Sequence, residues 1–334
     1  MKNLKKILSF LLRVCISVIL LVVLFCFKKI NLHDLIYDIK SADKPLLLLA
    51  FAIFFISSFL GVVRWQMLLK ASKVDIPLKR IVTSYAGGVF FSLFLPSSIG
   101  GDVARTIDLA KHTQKPREIV ATVLLDRLSG YVGLVIMVLF TLLIGWREID
   151  KDIAVLITIG IIVGILAVVL LVLFNKFLYQ GVNKILRLLK SDKIRETLKN
   201  LFYEIHYFRK NKKIVFYNIL VSLLIQILGP LVFYLTALSL GVAGINILYF
   251  FIFIPIIGAI TLLPISLGGF GLRENTAVIL FAKAGLAGNS AVAMAFLNSV
   301  FILVYGIIGG FIYVLTVRHR RAQYHQTQRI HPQH

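Results

Sequence analysis

Apolar runs of about twenty residues recur along this chain, around 7–27, 45–69, 119–145, 152–174, 214–240 and 290–317. Twenty residues at 1.5 Å each is the length that spans a bilayer. In hydrocarbon every backbone N–H and C=O must find a partner within the chain, so such runs fold as helices. Composition agrees, with 59% of 334 residues hydrophobic and 16% charged. The expected fold is an all-α polytopic membrane protein.

A net charge of +22 would suggest nucleic acid as the partner of a soluble chain. Here the cations sit between the apolar runs, as in cytoplasmic loops, so no nucleic-acid partner is expected. The opening MKNLKK and the run that follows are too long for a signal-peptide core and lack a small-residue cleavage site, so they read as an uncleaved first span. Cys15 and Cys26, in that span, lie about 16 Å apart on one helix, too far to bridge. No metal spacing, nucleotide loop or nucleophile–base arrangement is present, so no cofactor is expected.

One stretch occurs twice. Residues 95–105 read LPSSIGGDVAR and 263–273 read LPISLGGFGLR, sharing Leu95/Leu263, Pro96/Pro264, Ser98/Ser266, Gly100/Gly268, Gly101/Gly269 and Arg105/Arg273. Each copy ends an apolar run with Pro, which stops a helix, and Gly-Gly, which frees the backbone. Paired breaks in two halves of a membrane protein point to a midplane binding site.

Charge bias chooses the topology. Residues 175–213 hold eleven Lys or Arg against Asp192, Glu196 and Glu204. Eight full crossings would put these cations outside, against the positive-inside rule. If each motif is the tip of a re-entrant hairpin, then 1–6, 70–80, 106–118, 175–213 and the tail all fall inside. The expected architecture is an inverted repeat, halves 1–146 and 152–317, each with three spans and one hairpin, about eight hydrophobic segments in all. Residues 318–334 form a polar cytoplasmic tail that needs no fold. The location is the cell membrane, with both termini cytoplasmic.

Arg105, Arg273, Glu274, Asp102, Asp126 and Arg127 are the ionisable residues placed away from water, each costing about 2.5–3.5 kcal/mol at a bilayer centre. They either pair to hold helices together or line a polar cavity. As a binding site, a helix starting after Gly-Gly offers free N–H groups, and an Arg one turn in adds a planar donor fork matched to phosphate. The hairpin-tip backbone would be Pro96, Gly100, Gly101, Pro264, Gly268 and Gly269. Glu274, with Asp102 or Asp126, would receive a cationic headgroup or balance the arginines. Ser98 and Ser266 read as minor donors or helix caps. Arg64 and Trp65 read as an interfacial pair at headgroup level.

With Arg64-Trp65, LPSSIGGDVAR, Asp126-Arg127 and PISLGGFGLRE in this order, the chain resembles the transmembrane, flippase-like region of lysylphosphatidylglycerol synthases over roughly 7–317. In the two-part synthases that region moves aminoacylated phosphatidylglycerol to the outer leaflet, while a soluble domain makes the lipid. Such a domain is not seen after the last span, so the resemblance implies translocation rather than lysyl transfer, and relatives linked to lipid-carried sugars leave the headgroup open.

The expected function is therefore a non-enzymatic lipid translocase. Its partners are membrane lipids of phospholipid or polyprenyl-phosphate type, together with a separate enzyme that modifies the lipid. The alternatives are a membrane-embedded transferase using Asp126 or Glu274 as base, and a scaffold subunit acting through 175–213.

Overall fold

The computed structural model describes residues 12, 14–20, 22–24, 26, 32–94, 98–149, 153–174, 176–188, 196, 212–261, 266 and 268–330. Among them the chain is helical, with no strand. The helices are α1 (Val14–Leu24), α2 (Leu32–Ser41), α3 (Lys44–Ala71), α4 (Leu78–Phe94), α5 (Ser98–Thr113) and α6 (Pro116–Ile149). They continue as α7 (Ile153–Phe174), α8 (Lys176–Leu188), α9 (Lys212–Ser239), α10 (Ile247–Thr261), α11 (Leu272–Lys283) and α12 (Gly288–Ile330).

Four segments are long and apolar enough to cross a membrane: Lys44–Ala71, Pro116–Ile144, Lys213–Ser239 and Gly288–Thr316. They coincide with the expected second, third, fifth and sixth spans. The first and fourth appear among the described residues as shorter apolar helices, Val14–Leu24 and Ile153–Val169. The chain is a multi-pass membrane protein. The last helix does not stop at 317: it runs on to Ile330 through Arg, Ala and Gln, good helix formers, with no breaker before Pro332.

The most extensive helix pair is α3 and α9, which pack antiparallel. At one end the Asp43 N–H donates to the Ser239 carbonyl at 2.7 Å, and further along the Asn218 amide donates to the Arg64 carbonyl at 3.1 Å. Asp43 also starts α3 locally, its carboxylate accepting from the Leu46 N–H ahead of Pro45 in the first turn.

Around this pair the contacts recur in matched sets: α4 packs on α5 as α10 does on α11, α5 on α6 as α11 on α12, and α3 on α6 as α9 on α12. Each hairpin also crosses to the long helix of the other half, α4 onto α12 and α10 onto α6. Apolar side chains follow this division. Val62, Trp65, Ile81, Leu109, Ile119 and Val123 form a first-half core, while Phe250, Phe253, Phe281 and Met294 anchor the larger second core with Leu134 of α6.

Without a strong hydrophobic drive between helices in lipid, close approach depends on small residues. On α12, Gly306, Gly309 and Gly310 face Leu93, Ala86 and Phe90 of α4, and Tyr313 fills the space over Gly87. Within the first hairpin, Gly101 of α5 sits against Gly88 of α4.

Here the doubled motif departs from expectation. In the first copy the helix begins at Ser98, so Gly100 and Gly101 lie inside α5 rather than at a tip, and Gly101 serves close packing. In the second copy Gly268, Gly269 and Gly271 all have positive φ and the helix begins only at Leu272. Position 271 corresponds to Val103 in the first copy, and a β-branched residue resists a left-handed backbone. Pro96 and Pro264 lie outside the described residues.

A methyl added at Gly101 would stand 1.9 Å from Ser92 Oγ and 2.1 Å from the Gly88 carbonyl oxygen. Gly101→Ala should therefore lower the melting temperature in detergent, by overpacking worth about 1–3 kcal/mol or more. Gly160→Ala, with nothing within 4 Å of the new methyl, should leave it unchanged or raised.

Candidate headgroup site

Ionisable residues from three helices of the first half meet in one network. Asp126 of α6 accepts from Arg64 Nε of α3 at 2.7 Å and from Arg105 Nη2 of α5 at 2.9 Å. Asp102 accepts from Arg105 Nε at 3.0 Å and from Arg127 Nε, and Arg127 Nη1 donates to the Tyr131 hydroxyl at 3.4 Å. Arg64 Nη1 reaches Ser222 Oγ on α9 at 3.3 Å.

The Arg105 guanidinium is stacked 4.5 Å from the Trp65 ring centroid and 5.0 Å from that of Tyr85, an arrangement that favours a desolvated cation. Trp65 is fixed in turn by its indole N–H to Thr122 Oγ1. Asp126 is 2% exposed and Arg105 5%, so these charges are held by one another.

The expected place of Arg64 and Trp65 at headgroup level is corrected. Trp65 is fully buried and Arg64 is 9% exposed, both packed against protein. An arginine six residues before Lys70 looks interfacial in sequence, but Asp126 and Ser222 draw its head inward.

The second-half arginine has a different environment. Arg273 Nη1 donates to Ser299 Oγ at 2.8 Å, and Ser299 donates to Glu274 Oε1 at 2.8 Å. Glu274 Oε2 accepts from the Gly271 N–H at 2.7 Å. At the start of α11, expected to offer free N–H groups to an anion, the chain's own Glu274 takes the Gly271 N–H.

Two cavities adjoin these residues. One of about 350 Å³ is walled by Arg64, Arg127, Gly130 and Tyr131, with Gln226 and Pro230 of α9 and Pro255 of α10 opposite. The other, about 270 Å³, contains Arg273 with Ser57, Gln226, Thr261 and Asn298. They share Ile225, Gln226 and Gly229 of α9 and Ile254 and Gly258 of α10. At this common wall Gln226 Nε2 donates to the Gly130 carbonyl at 3.1 Å, linking α9 to α6.

Of the expected headgroup residues, Arg127 and Arg273 face the cavities. Arg105, Asp102 and Asp126 form the network behind Arg64 and Arg127, so Arg105 and Arg273 do not line a common cavity. Ser266 is buried but lines neither cavity, and the Ser98 side chain lies outside the described residues. Sequence reasoning missed Asn218, Ser222 and Gln226. Their signal was available: three polar residues at i, i+4 and i+8 in an apolar span share one helix face.

Residues 10–310 match the lysylphosphatidylglycerol synthase TM region. The chain belongs to that family. Among curated relatives, a UPF0104 membrane protein of Methanothermobacter thermautotrophicus is 24% identical over 278 residues, covering 76% of this chain and 80% of the relative. A second UPF0104 membrane protein, from Pyrococcus horikoshii, is 22% identical over 280 residues, covering 77% and 82%. No solved structure matches the chain.

Removing one partner of a buried charge network strands the others, at about 3–5 kcal/mol. Asp126→Ala should lower unfolding stability in detergent by that order, against about 1 kcal/mol for loss of the exposed α3 cap in Asp43→Ala. Equal effects would mean that Asp126 does not hold the arginines in place.

Proposed function

We propose that this protein moves a lipid with a phosphate-bearing headgroup between leaflets, without covalent change to the lipid. The observation that carries this reading is the pair of arginine-walled cavities meeting at one common wall of α9 and α10. A headgroup held by Arg64 and Arg127 on one side of Gln226 would pass to Arg273 on the other, its acyl chains remaining in the bilayer.

The common wall is suited to movement. Pro230 lies inside α9 and Pro255 inside α10, and each removes a backbone donor at the cavity edge, a usual cause of helix bending. Membership in a family named for lysylphosphatidylglycerol synthases supports a lipid-related role. The basic stretches are assigned to the cytoplasmic side by charge bias, and the hairpins α4–α5 and α10–α11 are then re-entrant from opposite faces.

Two measurements test this. In proteoliposomes the wild type should transfer labelled phosphatidylglycerol or polyprenyl phosphate across the bilayer, and Arg127→Gln and Arg273→Gln, shown to be folded, should each slow it at least tenfold, about 1.4 kcal/mol of lost stabilisation. Unchanged rates in both variants would reject the site, and chemically altered lipid would favour a transferase. With Cys15 and Cys26 replaced, single cysteines at Lys79 and Ser191 should label from the cytoplasmic face and one at Asn246 from the opposite face. Labelling of all three from one face would reject the inverted topology.

A further inference from the structure

The fourth span leads into a helix of a different kind. α7, Ile153–Phe174, has no charged residue. At 1.5 Å per residue it is about 33 Å long, enough to reach from one edge of the hydrocarbon to the other. After Asn175, α8 runs from Lys176 to Leu188 with the sequence KFLYQGVNKILRL. It opens the segment 175–213, where eleven cations stand against three acids.

With 3.6 residues per turn, the polar positions of α8 (Lys176, Gln180, Asn183, Lys184 and Arg187) fall within one arc of about 100°. The remaining arc holds Tyr179, Gly181 and apolar residues, with Leu178, Val182, Ile185 and Leu186 at i, i+4, i+7 and i+8. Three of the five polar positions are cations, and the helix contains no acid. Gln180, Lys184 and Arg187 are exposed, and Phe177, at the boundary between the two arcs, is 81% exposed. Among the described residues, none of α8 enters the apolar cores.

A helix divided in this way suits neither water nor hydrocarbon alone. Both faces are satisfied at the headgroup boundary, where the apolar face enters the acyl region and Lys or Arg reaches lipid phosphates. The end of α7 sets that boundary one residue before α8 begins. Cations without a neighbouring acid match a leaflet rich in anionic lipid rather than a neutral one. We propose that α8 lies in the bilayer surface at the end of α7, seated on anionic phospholipid through the face that carries Lys184 and Arg187. Charge bias assigns this end to the cytoplasmic leaflet. The contact is separate from both cavities and does not depend on the translocase reading.

The test is fluorescence quenching on the full chain, with Cys15 and Cys26 replaced by serine, in vesicles of three parts phosphatidylcholine to one part phosphatidylglycerol. A bimane attached at Val182→Cys or Ile185→Cys should be quenched by lipid brominated on its acyl chains. It should also be at least fivefold less accessible to aqueous acrylamide than one at Gln180→Cys. At equal mole fraction, bromine carried on phosphatidylglycerol should quench the Ile185→Cys label at least twofold more than bromine carried on phosphatidylcholine. Lys184→Gln combined with Arg187→Gln, both exposed and outside either cavity, should at least halve that excess.

Equal acrylamide access at positions 180, 182 and 185 would overturn the proposal, because the apolar face would then stand open to water and to a protein partner. Shielding from both acrylamide and brominated lipid would overturn it as well, by showing that protein covers that face. Quenching without an anionic preference, or a preference untouched by the double substitution, would reject anionic lipid as the partner.

Discussion

Asp126 accepts from guanidiniums of two different helices, Arg64 on α3 and Arg105 on α5, at a position 2% exposed. None of these charges could be placed there alone, since an isolated ion in a low-dielectric interior is strongly disfavoured. The three helices must therefore arrive together. That requirement locates the first hairpin against α6, sets the rotation of α3, and through Ser222 brings in α9 of the other half. What remains is a cavity to whose wall Arg64 and Arg127 both contribute.

The two halves use one motif for different ends. In the first, Gly101 lets α4 and α5 touch and Arg105 is drawn into the ion network. In the second, three glycines with positive φ delay the helix start, and Arg273 donates to a neutral hydroxyl, Ser299. The halves keep the same order of contacts while the charges are unequally divided, so the two cavities differ chemically: one is backed by a network of three arginines and two aspartates, the other holds an arginine whose neighbouring carboxylate accepts from the Gly271 N–H. An asymmetric pair of stations along a path is consistent with a headgroup being handed from one to the other.

Much of the site could be read from residues 95–105, 126–127 and 263–274, because charges within apolar spans are costly and so mark either pairing or a cavity. Which of the two applied to each residue could not. Arg105 and Arg127 are both arginines among apolar neighbours, yet one is enclosed by Trp65 and Tyr85 and the other reaches a cavity wall. Arg64 was misread because closeness to Lys70 suggests the interface, and only the position of Asp126 sixty-two residues later corrects it.

The spans, the helical character of the described residues and the paired breaks were determined by the sequence itself, since chain length in hydrocarbon and the need to satisfy every backbone group leave almost no alternative. Asn218, Ser222 and Gln226 also lie in register on one helix face by spacing alone. The tertiary structure decided the rest. It chose which arginines pair with which aspartates and which of them also line a cavity, that Glu274 takes the Gly271 N–H ahead of α11, and that α9 and α10 form the wall between two chambers. These outcomes depend on distances of about 3 Å between residues far apart in the chain, and no local propensity encodes such distances.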